Sequence, residues 1–209
     1  MSNTPFKLYY TATSCGAASF ITATAGGIKF DSEIVDLATH KTASGVDFYT
    51  INPKGNVPTV VFDDGSILNE NVASLTFLAD QGVTETKLAP EAGTPARYQY
   101  LNALGFITSD LHKSFGTLFG PHSDESKAAA IKVAEKKAQV LYDVLLDGGK
   151  KKYLVGDSIT AADVYAYIVL SWSPWIGVTL PEDTKNYFEF IKSNDVIVNG
   201  LAAIAAANQ

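Results

Sequence analysis

The chain changes its hydrophobic pattern once, near residue 82, and that change limits the folds open to it. Before it, β-branched and aromatic runs alternate with helical stretches. Phe6–Tyr10 reads as a strand and Cys15–Ala25 as a helix stopped by Gly26-Gly27. Phe30–Asp36 reads as a second strand, and the polar stretch Leu37–Asn52 as holding a short irregular helix. Thr59–Phe62 and a strand starting at Ile67-Leu68 flank the hairpin signal Asp63-Asp64-Gly65-Ser66, and Glu70–Asp80 reads as a helix. The order β-α-β-α-β-β-α predicts an α/β domain that mixes parallel crossovers with one hairpin.

After the change no clear strand remains. Thr94-Pro95 starts a helix that runs to about Phe119 and is broken by Gly120-Pro121. Asp124 to about Leu146 is a second helix, and Glu182–Ser193 and Asp195–Ala207 are two more. Thr160-Ala161-Ala162-Asp163 has the spacing of a capping box, flanked by Ile159 and Val164 as a hydrophobic staple, so Asp163 is assigned to capping and not to chemistry. The expected division is an α/β domain over 1–82, a linker over 83–93 and an all-helical domain over 94–209.

Charge and cysteine content narrow the function. Sixteen basic against twenty-two acidic residues give a net charge of −6, which argues against nucleic acid or an anionic membrane as the main partner. No run is apolar for long enough to span a bilayer, and Met1-Ser2-Asn3-Thr4-Pro5 lacks the marks of a leader. One cysteine cannot form an internal disulfide, and the expected location is cytoplasmic.

That cysteine, Cys15, follows the first strand and opens the first helix. A thiol there faces unpaired backbone N–H groups and the positive end of the helix dipole, which predicts a lowered pKa. The competing reading is a small buried hydrophobe. In Asn52-Pro53-Lys54-Gly55-Asn56-Val57-Pro58 the proline enters a strand, and a cis Pro58 would leave the Val57 N–H and C=O open to an extended peptide. The alternative is a sharp turn. Glu70-Asn71 opens a helix, where a carboxylate is favoured anyway. With the helix N–H groups the pair could also hold both charges of an amino-acid head group. Lys41 is either solvated or a point charge for a carboxylate. His112 is either a packing residue or a donor to an anionic sulfur.

Taken in order, these segments resemble a cytosolic glutathione transferase, most like the bacterial beta class. The segments are Lys7-Leu8-Tyr9-Tyr10 with Cys15, Asp36 to Lys41, Ile51 to Pro58, Leu68 to Ala73, Leu111 to Phe115 and Ile159 to Asp163. The resemblance implies a thioredoxin-like first domain with a mixed four-stranded sheet, an all-helical second domain contributing to the electrophile site and the dimer interface, and a homodimer. It implies glutathione as co-substrate, no metal, and a small electrophile or disulfide as second substrate. Val57 would pair by its backbone with the cysteinyl unit, beside a cis Pro58 and Asn56. Glu70 and Asn71 would hold the γ-glutamyl head and Lys41 the glycyl carboxylate. Cys15 and His112 would lie beside the sulfur with Lys113 close by. Gly16 stands where serine is usual, Asn56 where glutamine is usual, and Gly105 where asparagine is common. Ser14, Thr11 and Thr13 are further candidate sulfur donors. Tyr10, Thr11, Phe115, Phe119, Trp172 and Trp175 are candidates for the acceptor pocket or for core.

Two activities follow from the resemblance: conjugation by the glutathione thiolate, and thiol transfer through Cys15, with peroxidase as a side activity. With no second cysteine, any redox cycle needs external glutathione to resolve it. A non-catalytic glutathione- or ligand-binding protein on the same fold is the rival reading.

Overall fold

The computed structural model describes residues 6–208. The first five residues, on which the absence of a leader was read, lie outside them. Contacts group the described residues of Met1–Ala89 and Asp195–Gln209 into one unit and Pro90–Asn194 into another. The expected boundary therefore shifts, and the last helix leaves the helical domain for the first unit.

In the first unit, β1 (Phe6–Tyr10) lies at the middle of a sheet ordered β3-β2-β1-β4-β5. It pairs in parallel with β2 (Asp31–Asp36) and antiparallel with β4 (Thr59–Phe62), and β4 pairs antiparallel with β5 (Ile67–Leu68). The hairpin turn between them uses Gly65 at φ +81°, a conformation that costs glycine nothing. The sheet has five strands and not four. The stretch Leu37–Asn52 holds a short irregular helix as expected, the 3₁₀ turn Phe48–Thr50, and before it an unexpected two-residue strand β3 (Lys41–Thr42) against β2. The Asp36 carboxylate accepts from the Ala38 N–H and the Thr39 hydroxyl, both at 2.8 Å, and so folds the chain back onto its own strand.

Helix α1 (Gly16–Ala25) and helix α2 (Asn71–Gln81) pack together, and α1 is buried from Gly16 to Ala23. So wide a buried face needs cover beyond the sheet. The C-terminal helix, numbered α9 (Asp195–Ala207), supplies it, packing on α1 through Gly200. Beneath the loop before β4, Tyr9, Val35, Phe48 and Val57 form an apolar cluster.

The second unit is helical. Thr94 caps α3 (Pro95–Phe106) by accepting from the Arg97 N–H, with Pro95 in the first turn. The helical path continues through a π-helical segment, Ile107–His112, then α4 (Lys113–Gly116) and a 3₁₀ turn to Phe119. α5 (Asp124–Val140) ends in a second π-helical segment, Leu141–Leu145. α6 (Ala161–Leu170) is buried along its whole length. A short α7 (Ser173–Ile176), not expected from the sequence, precedes α8 (Glu182–Lys192). Asp163 is fully buried and accepts from the Leu154 and Thr160 N–H groups and the Thr160 and Tyr187 hydroxyls at 2.8–2.9 Å. Its role is the structural one read from its spacing.

Candidate active site

Cys15 sits at the N-cap of α1, as its place in the sequence requires, but its electrostatics oppose the expectation. It is buried, and burial pushes its thiol up to about 12, which hydrogen bonds from the Cys15 and Gly16 N–H groups only partly offset. The expected lowering is therefore corrected. Here desolvation of the thiolate outweighs the two backbone donors and the helix dipole. The thiol instead donates to the Val57 carbonyl oxygen at 3.3 Å.

The Val57–Pro58 peptide bond is cis. The Val57 side chain is held in the apolar cluster, and its N–H has no hydrogen-bond partner among the described residues. Asn52, fully buried, organises this loop. Its Nδ2 donates to the Asn56 main-chain oxygen (2.8 Å), the Asn56 Oδ1 (3.0 Å) and the Thr59 hydroxyl (3.0 Å). Its Oδ1 accepts from the Lys54 N–H and from the Asn69 Nδ2. The Asn56 Nδ2 in turn donates to the Asn69 main-chain oxygen at 2.6 Å. The Asn56 amide is thus occupied in tying the cis-proline loop to the residue before Glu70.

Glu70 is the N-cap of α2 but makes no side-chain cap bond; its exposed carboxylate pairs with the Lys54 ammonium. Asn71 is buried at 7% exposure. Its Oδ1 accepts from the Ser19 hydroxyl of α1 at 3.3 Å, while its Nδ2 has no partner among the described residues. An unpaired buried donor at a helix N-terminus is suited to a carboxylate. A continuous set of contacts therefore joins Cys15, Asn56, Val57, Pro58, Glu70 and Asn71. Lys41 stands apart on the edge strand β3, exposed and without an ion-pair partner among the described residues.

Two of the candidate hydroxyls are already committed. Thr11 donates to the Val35 carbonyl at 2.6 Å and Ser14 to the Thr11 carbonyl at 3.0 Å. Thr13 is exposed.

In the second unit, the His112 Nδ1 lies 2.5 Å from the Tyr165 hydroxyl, and the ring meets Trp172 edge to face at 5.0 Å. Burial moves the His112 pKa below its ordinary value, which favours a neutral ring. Lys113 is exposed. Tyr10 and Phe115 are core, Trp172 is buried against Phe119, and Phe119 and Trp175 are exposed.

The roles of Asn52, Lys54, Asn69 and Tyr165 were missed from sequence. The first three lay within the segments singled out, but an amide or an ammonium shows its partner only once the loop is closed. Nothing in the sequence marks Tyr165 as more than a helix aromatic.

Residues 108–192 match the glutathione S-transferase C-terminal domain family. The chain is 36% identical over 168 residues to glutathione S-transferase GstA of Escherichia coli O157:H7, covering 80% of this chain and 82% of that one. A sphingomonad glutathione S-transferase solved in complex with glutathione superposes with a TM-score of 0.85 at 34% identity, covering 94% of this chain and 98% of the other. The bacterial beta-class enzyme of Sphingomonas chungbukensis gives 0.84 at 36% identity, with the same coverage. The chain belongs to the glutathione S-transferase family, with bacterial beta-class members among its structural neighbours.

Proposed function

We propose that this transferase binds glutathione along the cis-proline loop and the N-terminus of α2, and uses the glutathione thiolate as nucleophile toward small electrophiles. The observation that carries this reading is the Cys15 thiol against the Val57 carbonyl. It sets a sulfur-bearing side chain beside a stretch of backbone whose Val57 N–H has no hydrogen-bond partner among the described residues and can pair with an extended peptide. The Val57 N–H pairs with the cysteinyl unit of the ligand. Glu70 receives its ammonium, and Asn71 Nδ2 with the first N–H groups of α2 receives its α-carboxylate. Lys41 takes the glycyl carboxylate as a point charge, and Lys113 adds positive potential. His112 donates a hydrogen bond to the ligand's sulfur anion.

In conjugation the thiol proton leaves to solvent, the thiolate attacks the electrophilic carbon, and the leaving group departs with its electron pair. Cys15, protonated in the resting protein, acts here as a donor and not as a nucleophile. Thiol transfer is the second reading, favoured by the nearness of Cys15 to the proposed sulfur site. In it Cys15 first gives its proton to solvent. The thiolate attacks the glutathione sulfur of a mixed disulfide and expels the substrate as a thiolate that is then protonated. A second glutathione attacks the glutathione sulfur held on Cys15, releasing glutathione disulfide and restoring the Cys15 thiol. The protein is proposed to work as a cytoplasmic homodimer.

The experiment is Cys15→Ala and Cys15→Ser assayed with 1-chloro-2,4-dinitrobenzene and with a hydroxyethyl–glutathione mixed disulfide. Conjugation should persist within about tenfold in both variants, while disulfide reduction should be lost. Loss of conjugation in Cys15→Ser would overturn the donor role. Glutathione binding with no turnover of either substrate by the wild type would favour a carrier.

A further inference from the structure

His112 ends the π-helical segment Ile107–His112, and its side chain is enclosed by aromatic rings. Tyr165 meets it edge to face with centroids 5.8 Å apart, and Trp172 does so at 5.0 Å. Tyr165 is fully buried on α6, and its hydroxyl oxygen is 2.5 Å from the His112 Nδ1. That contact admits two arrangements. Either the phenol donates to an unprotonated Nδ1, or an Nδ1–H donates to the phenol oxygen. The unprotonated nitrogen of a neutral imidazole is a good acceptor, and the phenol O–H is a good donor. A phenol oxygen is a poor acceptor because its lone pair is delocalised into the ring. The first arrangement therefore wins, and it leaves the ring proton on Nε2.

Gly116, one turn further along, borders the ring on its Cδ2–Nε2 side. A Cβ at that position would make ordinary contact, 3.4 Å from the His112 Cδ2 and 3.7 Å from Nε2. The tyrosine thus occupies Nδ1, while the glycine lies on the Nε2 side of the ring.

We propose that Tyr165 is a positioning residue whose phenol holds His112 as the Nε2–H tautomer, making the ring a one-way donor to an anionic sulfur. This rests on the reading that His112 donates to the glutathione sulfur. It adds that His112 cannot remove the thiol proton, since its only unprotonated nitrogen is taken.

The test is a long-range ¹⁵N–¹H correlation spectrum of the full chain labelled at histidine, with His112→Gln used to assign the signal among the three histidines. The wild type should show an unprotonated-type Nδ1 and a protonated-type Nε2 shift. In Tyr165→Phe both should move toward the exchange average of two tautomers. The same variant should lower kcat/KM for glutathione about five- to tenfold with His112 present, and less than twofold when combined with His112→Gln, whose amide N–H replaces the Nε2 donor. A protonated-type Nδ1 in the wild type overturns the proposal, and that spectrum decides the tautomer even if Tyr165→Phe fails to fold. If Tyr165→Phe mixes the tautomers and kcat/KM is unchanged in it and in His112→Ala, the tautomer lock stands and the sulfur-donor reading of His112 falls.

Discussion

The Cys15 Sγ lies 3.3 Å from the carbonyl oxygen of Val57, and the thiol donates to it. A donated proton is one that the sulfur keeps, and burial acts in the same direction, raising the thiol from its ordinary 9.0 to about 12. Without ligand, Cys15 should react with iodoacetamide at neutral pH at least about a thousandfold more slowly than a free cysteine, in proportion to its smaller thiolate fraction. Mass spectrometry of the labelled protein reads this directly; rapid labelling at pH 7 would contradict the protonated state.

The same shift gives a stability signature. Below about pH 9 the thiol is protonated in both folded and unfolded chains and adds no pH dependence. Between about pH 9 and about pH 12 the unfolded chain releases the proton while the folded one holds it, so the unfolded state gains. Stability should therefore fall with rising pH more steeply in the wild type than in Cys15→Ala. Urea melts at about pH 8 and about pH 10.5 compare the two; parallel slopes would mean that the folded thiol ionises normally.

Lys54 occupies the carboxylate that is proposed to receive the ligand's ammonium. An exposed pair of this kind contributes at most about 1 kcal/mol, which converts to about fivefold in affinity. Lys54→Met should tighten glutathione binding by up to about that factor in isothermal titration. Weaker binding would show that Lys54 contacts the ligand instead of competing with it.

Asn52 is the hub of the cis-proline loop, and every polar atom of its side chain is used. Asn52→Ala leaves several donors and acceptors to find water, at about 1–3 kcal/mol for each that stays buried. A total near 3 kcal/mol, or roughly 10 °C in Tm for a chain of this size, is the expected loss. Asn52→Asp removes the donors and keeps an acceptor, so it should lose nearly as much. An Asp variant as stable as wild type would place the importance in the acceptor side alone.

Gly200→Ala pits two effects against each other. Alanine is the better helix former by about 1 kcal/mol. Its Cβ, however, would approach Ile21 Cγ2 to 2.7 Å and Cγ1 to 2.8 Å, and overpacking of a buried contact costs about 1–3 kcal/mol. The clash should dominate, lowering stability by about 1–2 kcal/mol in thermal or urea unfolding. A stabilised variant would mean that α9 has room to move off α1.

Elements with a strong local signal were legible from the sequence: β1, the Gly65 hairpin, the Thr94-Pro95 helix start and the Asp163 box each depend on neighbours a few residues away. The edge strand β3 was not, because two residues carry no periodicity and its formation depends on the Asp36 turn. The site was legible as a set of residue types and opaque as a set of states. Helix position argued for a thiolate at Cys15, yet burial and the Val57 carbonyl, forty-two residues away, decide for the thiol. The partnerships Lys54–Glu70, Asn56–Asn69 and His112–Tyr165 are likewise long-range, and amide and aromatic side chains carry no sequence mark of whom they will meet.

Because α9 closes over α1, the sheet-bearing unit is discontinuous, with the whole helical unit inserted between its two pieces. During synthesis the first unit is begun first, and its last piece is the last to be made. The part of α1 that α9 covers stays uncovered until residues beyond 195 leave the ribosome, after the whole helical unit has been made. A chain stalled before α9 would therefore present the nascent site on a half-finished module.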